Sequence, residues 1–311
     1  MTSFAIKRVM KDILKYEKNK EMFNKEGIYI NFNTDHDNIL GTENKPHYAI
    51  LIGPRGGPLQ GGFFPFKFWF KPNYPETPPK VEFYSLSSQC RIHPNLYANG
   101  KVCLSLLGTW NGPSWTMVMN ITSVFTSILG LVLGLNHPIQ GEPSYEFEKG
   151  ELSRQYNNVV CHETSRLYIC KMIIETPEPF IGFLPDIIEY FKENYNDYIK
   201  FINEYRINIK NNTISYPIYY KGMIVKNVYN EILENLELKA IEYNFSNINI
   251  NKNENTIKMK TILKRKAPNV AASKLGIGTI LKSENDGKNW IVKEYRRNNK
   301  PFKKWVRINI K

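Results

Sequence analysis

The sequence predicts an α+β fold: a four-stranded antiparallel meander preceded by one helix and followed by several. Three observations carry that expectation. Four strand-like runs lie between residues 28 and 84, with Gly- and Pro-rich clusters after the second and third, and short turns of that kind fit an antiparallel meander better than crossover units. Apolar residues recur at helical spacing before those runs and again from residue 117 onward. Hydrophobic residues are 42% and charged residues 23% of 311, which supplies a packed core and excludes global disorder. The length leaves open one large core with an appendage or two domains.

Residues 4–18 predict an amphipathic helix with Ile6, Val9, Met10, Ile13 and Leu14 on one face and Thr2 or Ser3 as cap. The other face carries Lys7, Arg8, Lys11, Lys15 and Lys18. The strands are Ile28–Asn33, Tyr48–Ile52, Phe63–Phe70 and Val81–Tyr84. Between them lie GPRGGP at 53–58, QGG at 60–62 and KPNYPETPP at 71–79. The Gly-rich stretch at 53–62 is not a phosphate loop, because no Gly-Lys-Ser/Thr follows and no helix starts there. From Ser87 to Trp115 the patterning lapses, and a long loop within a compact domain is usually functional. Helical patterns resume at 117–135, at about 145–175, and at Leu184–Tyr205. The apolar run Ile121–Leu135 is 15 residues long, short of the ~18 a membrane span needs, and is read as a buried helix with no membrane partner.

After Tyr205 the composition shifts. Residues 206–265 read as a mixed linker region with one helix at 226–241, and Asn247–Asn255 as a linker. Residues 266–311 read as a small basic β module, with β-like pieces at Asn289–Glu294 and Trp305–Ile310. The net charge of +13 belongs to this end: residues 1–205 carry 20 basic and 21 acidic side chains, whereas residues 258–311 carry 16 basic and 3 acidic. Trp290, Tyr295, Phe302 and Trp305 are interleaved with the basic residues, a composition that suits nucleic acid, although most basic tails are simply solvated or bind acidic proteins. Four cysteines exclude a disulfide scaffold. With no export signal visible at the N-terminus the expected compartment is the cytoplasm. The nucleus is the alternative, although KRK at 264–266 is too short to be called a nuclear signal.

The chemistry lies in HPNLYANGKVCLSLLGTW. Structural zinc needs about four Cys/His ligands, usually in close pairs, and Cys90, Cys103, Cys161 and Cys170 form no CxxC pair, so no metal is expected. A Cys–His protease pair of Cys103 and His93 would have partners unusually close in sequence and no arguable orienting Asn or Asp. Cys90, Cys161 and Cys170 are expected to be buried small hydrophobes.

The same words resemble the ubiquitin-conjugating enzyme family. The resemblance rests on Tyr74-Pro75 and Pro78-Pro79, then His93-Pro94-Asn95, then Cys103 eight residues after the Asn, then Trp110 and Trp115. It preserves the family's order of elements over about residues 4–146. CLSLLGTWNGPSW, GEPSYE and the extension with CHETSRLYIC and PEPF resemble the large Z-type class, with similarity reaching about residue 205. The final block resembles a small module of large DNA viruses of protists, so the cytoplasm in question would be a host's. The resemblance gives a catalytic core at 1–150 and a helical extension at 151–205; composition adds the mixed region at 206–265 and the basic module at 266–311.

The resemblance implies the ubiquitin-conjugating fold and no cofactor. Cys103 would take ubiquitin, or a ubiquitin-like protein, as a thioester from an activating enzyme, then pass it to a substrate lysine or a ligase cysteine. It requires that thiol to be exposed. Asn95 would donate to the oxyanion formed as lysine attacks, His93 would bond the loop backbone through its ring nitrogens, Pro94 would set chain direction, and Trp110 and Trp115 would anchor the loop. Lys7, Arg8, Lys11 and Lys15 match the surface that meets the activating enzyme. The acids that many members place near an approaching lysine are absent here: Ser105 and Asn136 or His137 occupy those positions. Glu76 and Thr116-Met117-Val118 replace the usual ligase-facing residues, which implies a restricted set of ligases. A non-catalytic adaptor with a nucleic-acid-binding tail is the alternative.

Overall fold

The structure, a computed structural model, describes residues 3–33, 38–88, 90–216, 223–243, 277, 279–282, 289–297 and 300–308. The chain forms two units, Met1–Ser246 and Asn247–Lys311.

Helix α1, Phe4–Lys18, is capped by Ser3, whose hydroxyl accepts from the Ile6 N–H at 3.3 Å. That satisfies one of the orphan donors of a first turn. Its inward stripe is Ala5, Val9, Asp12 and Tyr16, which shares only Val9 with the predicted face; Ile6 and Ile13 are half-buried, and Met10 and Leu14 are exposed. A polar anchor decides the rotation. Asp12 accepts from Arg8 Nε at 3.0 Å and from the Tyr74 hydroxyl at 2.5 Å, and the Tyr16 hydroxyl accepts from the Ile30 N–H at 2.8 Å. Helix α2, Lys20–Lys25, follows after Asn19.

Strands β1 (Ile28–Asn31), β2 (His47–Ile52), β3 (Phe63–Trp69) and β4 (Lys80–Phe83) form the predicted antiparallel meander in chain order. Ile50 opposes Pro65 and Phe68 opposes Val81. Strand β3 is buried on both faces. Phe66 and Phe68 meet Phe125 of helix α3 (Ile121–Ile128), and Phe64 stacks on Tyr168 at 4.8 Å. On the reverse face Phe63 meets Tyr190 and Tyr198 of the helical extension. Covering both faces explains why FFPFKFW reads as an apolar run rather than an alternation.

Asn120 opens α3 with a capping box to Ser123. The helix continues as a wide π turn over Leu129–Leu133. Leu131 is 64% exposed, so the apolar run predicted as a buried helix is covered on one side only. Among the described residues no helix is long and apolar enough to cross a membrane. The pattern at 145–175 becomes α4 (Glu151–Glu163), a π turn over Thr164–Lys171 and α5 (Met172–Ile174). The pattern at Leu184–Tyr205 is two helices, α6 (Leu184–Glu193) and α7 (Tyr195–Ile207). They part at Asn194, whose side-chain amide donates to the Tyr190 carbonyl at 2.9 Å and competes with the helical ladder.

Residues 206–216 and 223–243, read from composition as part of a mixed linker region, pack on the core instead. Strands β5 (Thr213–Tyr216) and β6 (Met223–Lys226) form a hairpin, followed by α8 (Tyr229–Glu242). Tyr216 meets Tyr156 edge-on at 5.2 Å, and the Val228 N–H donates to His162 Nε2 at 3.0 Å. In the second unit β7 (Ile280–Lys282), β8 (Asn289–Arg297) and β9 (Lys300–Ile308) form an antiparallel sheet in chain order, with β8 and β9 longer than predicted. The expected linker Asn247–Asn255 and the KRK run lie outside the described residues.

Candidate functional site

The loop after β4 folds by short backbone pairings. The Asn99-Gly100 turn is closed by Gly100 N–H to the Tyr97 carbonyl at 3.0 Å, and Gly100 sits at φ +94°, a region glycine enters without strain. Leu96 then pairs with Val102, which returns the chain beside His93-Pro94-Asn95. The result is a two-way clamp between the residues that the sequence singles out. The Cys103 N–H donates to the Asn95 carbonyl at 2.9 Å, and Asn95 Nδ2 donates to the Cys103 carbonyl at 2.8 Å. Arg91 donates to the Pro94 carbonyl and holds its guanidinium 3.6 Å from the Tyr97 ring centre.

His93 is fully buried. Its Nδ1 accepts from the Asn95 N–H at 3.0 Å, so it bonds the loop through one ring nitrogen, not two; among the described residues Nε2 has no hydrogen-bond partner. Burial, helped by the Arg91 charge, pulls its pKa down to about 3. His47, also buried, accepts from the Asn33 N–H at 2.9 Å, and burial pulls it down to about 4. Both rings stay neutral in the fold, while an unfolded chain would protonate them below about pH 6.5. Their contribution to stability is therefore complete above that pH and is lost as pH falls toward the folded values. Urea unfolding should show unit 1 weakened by about 3–4 kcal/mol between pH 7 and pH 5. His47→Gln should flatten that slope; a flat wild-type profile contradicts the assignment.

Gly141 completes the pocket. A Cβ built there would lie 2.6 Å from Asn95 Oδ1 and 2.8 Å from His93 Cε1, so only glycine lets this segment close on the Asn95 amide. Nothing in its spacing marks Gly141 in the sequence. Thr109, also unmarked, brackets the cysteine: its hydroxyl donates to the Val102 carbonyl at 2.6 Å and accepts from the Leu104 N–H at 2.9 Å.

Cys103 itself is 2% exposed, against the expectation of an open thiol. The clamp to Asn95 and the Thr109 bracket fix the backbone on both sides of it in this closed form. Replacing Thr109 with Val should loosen it, since each such bond contributes about 1 kcal/mol. N-ethylmaleimide should then modify Cys103 roughly five- to tenfold faster, read by mass spectrometry. An unchanged rate removes Thr109 from the closure. Cys90, Cys161 and Cys170 are free and buried, and burial pushes each thiol up, Cys170 to about 11. They serve as protonated internal references.

The remaining predicted positions scatter. Trp115 anchors the loop, its Nε1 donating to the Pro75 carbonyl at 2.8 Å. Trp110 does not: it is 44% exposed, because the turn at 108–114 projects from the surface. Lys7, Lys11 and Lys15 are exposed on α1. Arg8 is not part of that free face. Besides Asp12 it donates to the Met117 and Met119 carbonyls at 2.6 and 2.7 Å, tying α1 to the segment before α3. Ser105 begins the short turn Ser105–Leu107. His137 is held by Ser153 at 2.8 Å, and Asn136 lies beside Gly56, so neither is shown at the cysteine. A cleft of about 260 Å³ opens beside Val102 and Thr109, bordered by Lys71, Lys80 and Lys101. Among the described residues no group of three or more His, Cys, Asp or Glu could hold a metal.

A helix, a four-stranded meander, a His-Pro-Asn turn clamped to a cysteine eight residues on, and covering helices define a class. The ubiquitin-conjugating enzyme family matches residues 8–164, half of the chain, and the chain belongs to that family. It is 37% identical over 176 residues to human ubiquitin-conjugating enzyme E2 Z, covering 55% of this chain and 48% of that protein. The zebrafish E2 Z is 36% identical over 176 residues. The probable ubiquitin-conjugating enzyme E2 R521 of Acanthamoeba polyphaga mimivirus is 34% identical over 197 residues, 60% of this chain and 13% of that protein. The Z-type likeness therefore stands beside a viral relative. The chain spans about half the length of the E2 Z proteins it matches.

Proposed function

We propose that Cys103 carries ubiquitin or a ubiquitin-like protein as a thioester. In charging, the Cys103 thiolate attacks the acyl carbonyl of an activating enzyme's thioester, and the activating enzyme's cysteine leaves as thiolate. In transfer, a neutral lysine amine or a ligase cysteine attacks the Cys103 thioester, the C–S bond breaks, and Cys103 departs as thiolate. An attacking amine gives up its extra proton to solvent.

The observation that carries this reading is the clamp between Asn95 and Cys103 in the stretch that matches the family. It holds the Asn95 carboxamide on the backbone carbonyl of Cys103, so that a short move of the loop would free this donor for an acyl group on the sulfur. The closed thiol requires the loop to open before charging, and it also favours the second reading, a non-catalytic adaptor. Lys7, Lys11 and Lys15 supply a cationic face for the activating enzyme. Glu76, Met117 and Val118 are exposed and form the ligase-facing surface. The cytoplasm, a host's if the chain is viral, is the compartment this chemistry suits.

Incubation with ATP and a panel of activating enzymes and modifiers should yield an adduct that survives a non-reducing gel and disappears on reduction. Cys103→Ala should abolish it completely. If wild type forms no adduct with any modifier, the enzymatic reading fails and the adaptor reading replaces it.

A further inference from the structure

The register of the C-terminal sheet sorts its charges. Directly opposed residues share a face, so Lys293 with Lys304, Tyr295 with Phe302, and Arg297 with Lys300 are three successive rungs on one face of β8–β9. Ile291 and Val306 make the next rung, and none of the residues paired on this face is acidic. The opposite face has the one acid of these strands, Glu294, directly across from Lys303, and there Val292 is fully buried. Lys293 is exposed, as is Glu294 on the opposite face.

Two of these rungs set like charges directly across from each other, an arrangement that destabilises a sheet. Nothing about folding asks for it. A bound polyanion relieves it. The rungs repeat about every 6.6 Å in the order cation, aromatic, cation. That alternation fits a chain whose charges are separated by planar rings, and it is close to the phosphate repeat of an extended polynucleotide. An acidic protein would use the cations and leave the aromatic rung idle.

We propose that this face binds single-stranded nucleic acid. The Lys293–Lys304 and Arg297–Lys300 rungs take phosphates, and the Tyr295–Phe302 rung offers a base its stacking platform. This activity is independent of thioester chemistry and leaves Cys103 charging unchanged.

The test is fluorescence anisotropy of the full chain with a labelled single strand of mixed sequence across a salt series. Lys293→Gln with Lys304→Gln removes two phosphate contacts and should flatten the slope of log affinity against log salt by about 1.4. Tyr295→Leu with Phe302→Leu should weaken binding by about tenfold with the slope retained. Arg296→Gln with Arg307→Gln removes the same charge from the opposite face and should change affinity by less than about twofold. Lys293→Arg with Lys304→Arg should bind like wild type, which excludes misfolding as the cause. The proposal is overturned by no binding at low salt or by equal losses from the two charge-removing pairs. Tighter binding to duplex of the same sequence, or equally effective competition by polyglutamate, overturns it too.

Discussion

Asn95→Ala slows discharge of a Cys103 thioester to free lysine by about 10²–10³, the usual loss for one donor to a developing oxyanion. Charging by an activating enzyme falls far less, because thiol exchange onto Cys103 rests on the sulfur and not on a lysine's attack. The structure sharpens the comparison. In the closed form Asn95 Nδ2 is committed to the Cys103 carbonyl at 2.8 Å, so the amide also holds the loop. A purely structural amide would make Asn95→Ala lower thermal stability and charging together, with the discharge rate per thioester unchanged. Single-turnover discharge beside a melting curve separates the two roles. Asn95→Gln offers no rescue, since the longer side chain meets the closely approaching Gly141.

Glu163→Ala should destabilise unit 1 by about 3 kcal/mol, lowering its melting temperature by roughly 6–12 °C. Glu163 is 1% exposed and accepts from Arg166 Nε and Nη2 at 2.9 and 2.7 Å. It also pairs with His162 Nδ1 at 3.0 Å, and His162 Nε2 accepts from the Val228 N–H. Truncation leaves a buried ring donor unpaired and a cation short of its partner, and it slackens the attachment of residues 227–243. Burial pushes the Glu163 carboxyl up, but the hydrogen bonds from Arg166 and His162 outweigh it and hold the pKa below the ordinary value. Its contribution is therefore present above the unfolded carboxylate pKa and lost as pH falls through the folded one. The deficit of Glu163→Gln should shrink in acid. Limited proteolysis should cut 206–243 faster in Glu163→Ala. A melting temperature within about 1 °C of wild type contradicts the account.

The meander was legible because its strands are short and turn residues punctuate them. The site was legible because His93, Asn95 and Cys103 lie within eleven residues, and a two-way clamp at that spacing needs only one tight turn, at Asn99-Gly100. Arg8 was misassigned because helical spacing ranks it with Lys7 and Lys11. Its partners, the carbonyls of 117 and 119, are more than a hundred residues away. Trp110 and Trp115 look alike in sequence, and the Pro75 carbonyl and the Tyr74 ring, both met by Trp115, distinguish them. Residues 206–216 and 223–243 carry the composition of a linker, yet a few large side chains, Tyr216, Tyr229 and Leu236 among them, are enough to seat them on the core.

Local patterning by itself determined the order of helices and strands, the clustering of His93, Asn95 and Cys103, and the cationic end of the chain, because each depends on residues close in sequence. Tertiary structure alone decided which stripe of α1 turns inward, that Gly141 closes on Asn95, and that Cys103 rests closed. Those outcomes depend on contacts made when distant segments meet, where one buried carboxylate or one missing Cβ outweighs the periodicity of a whole helix.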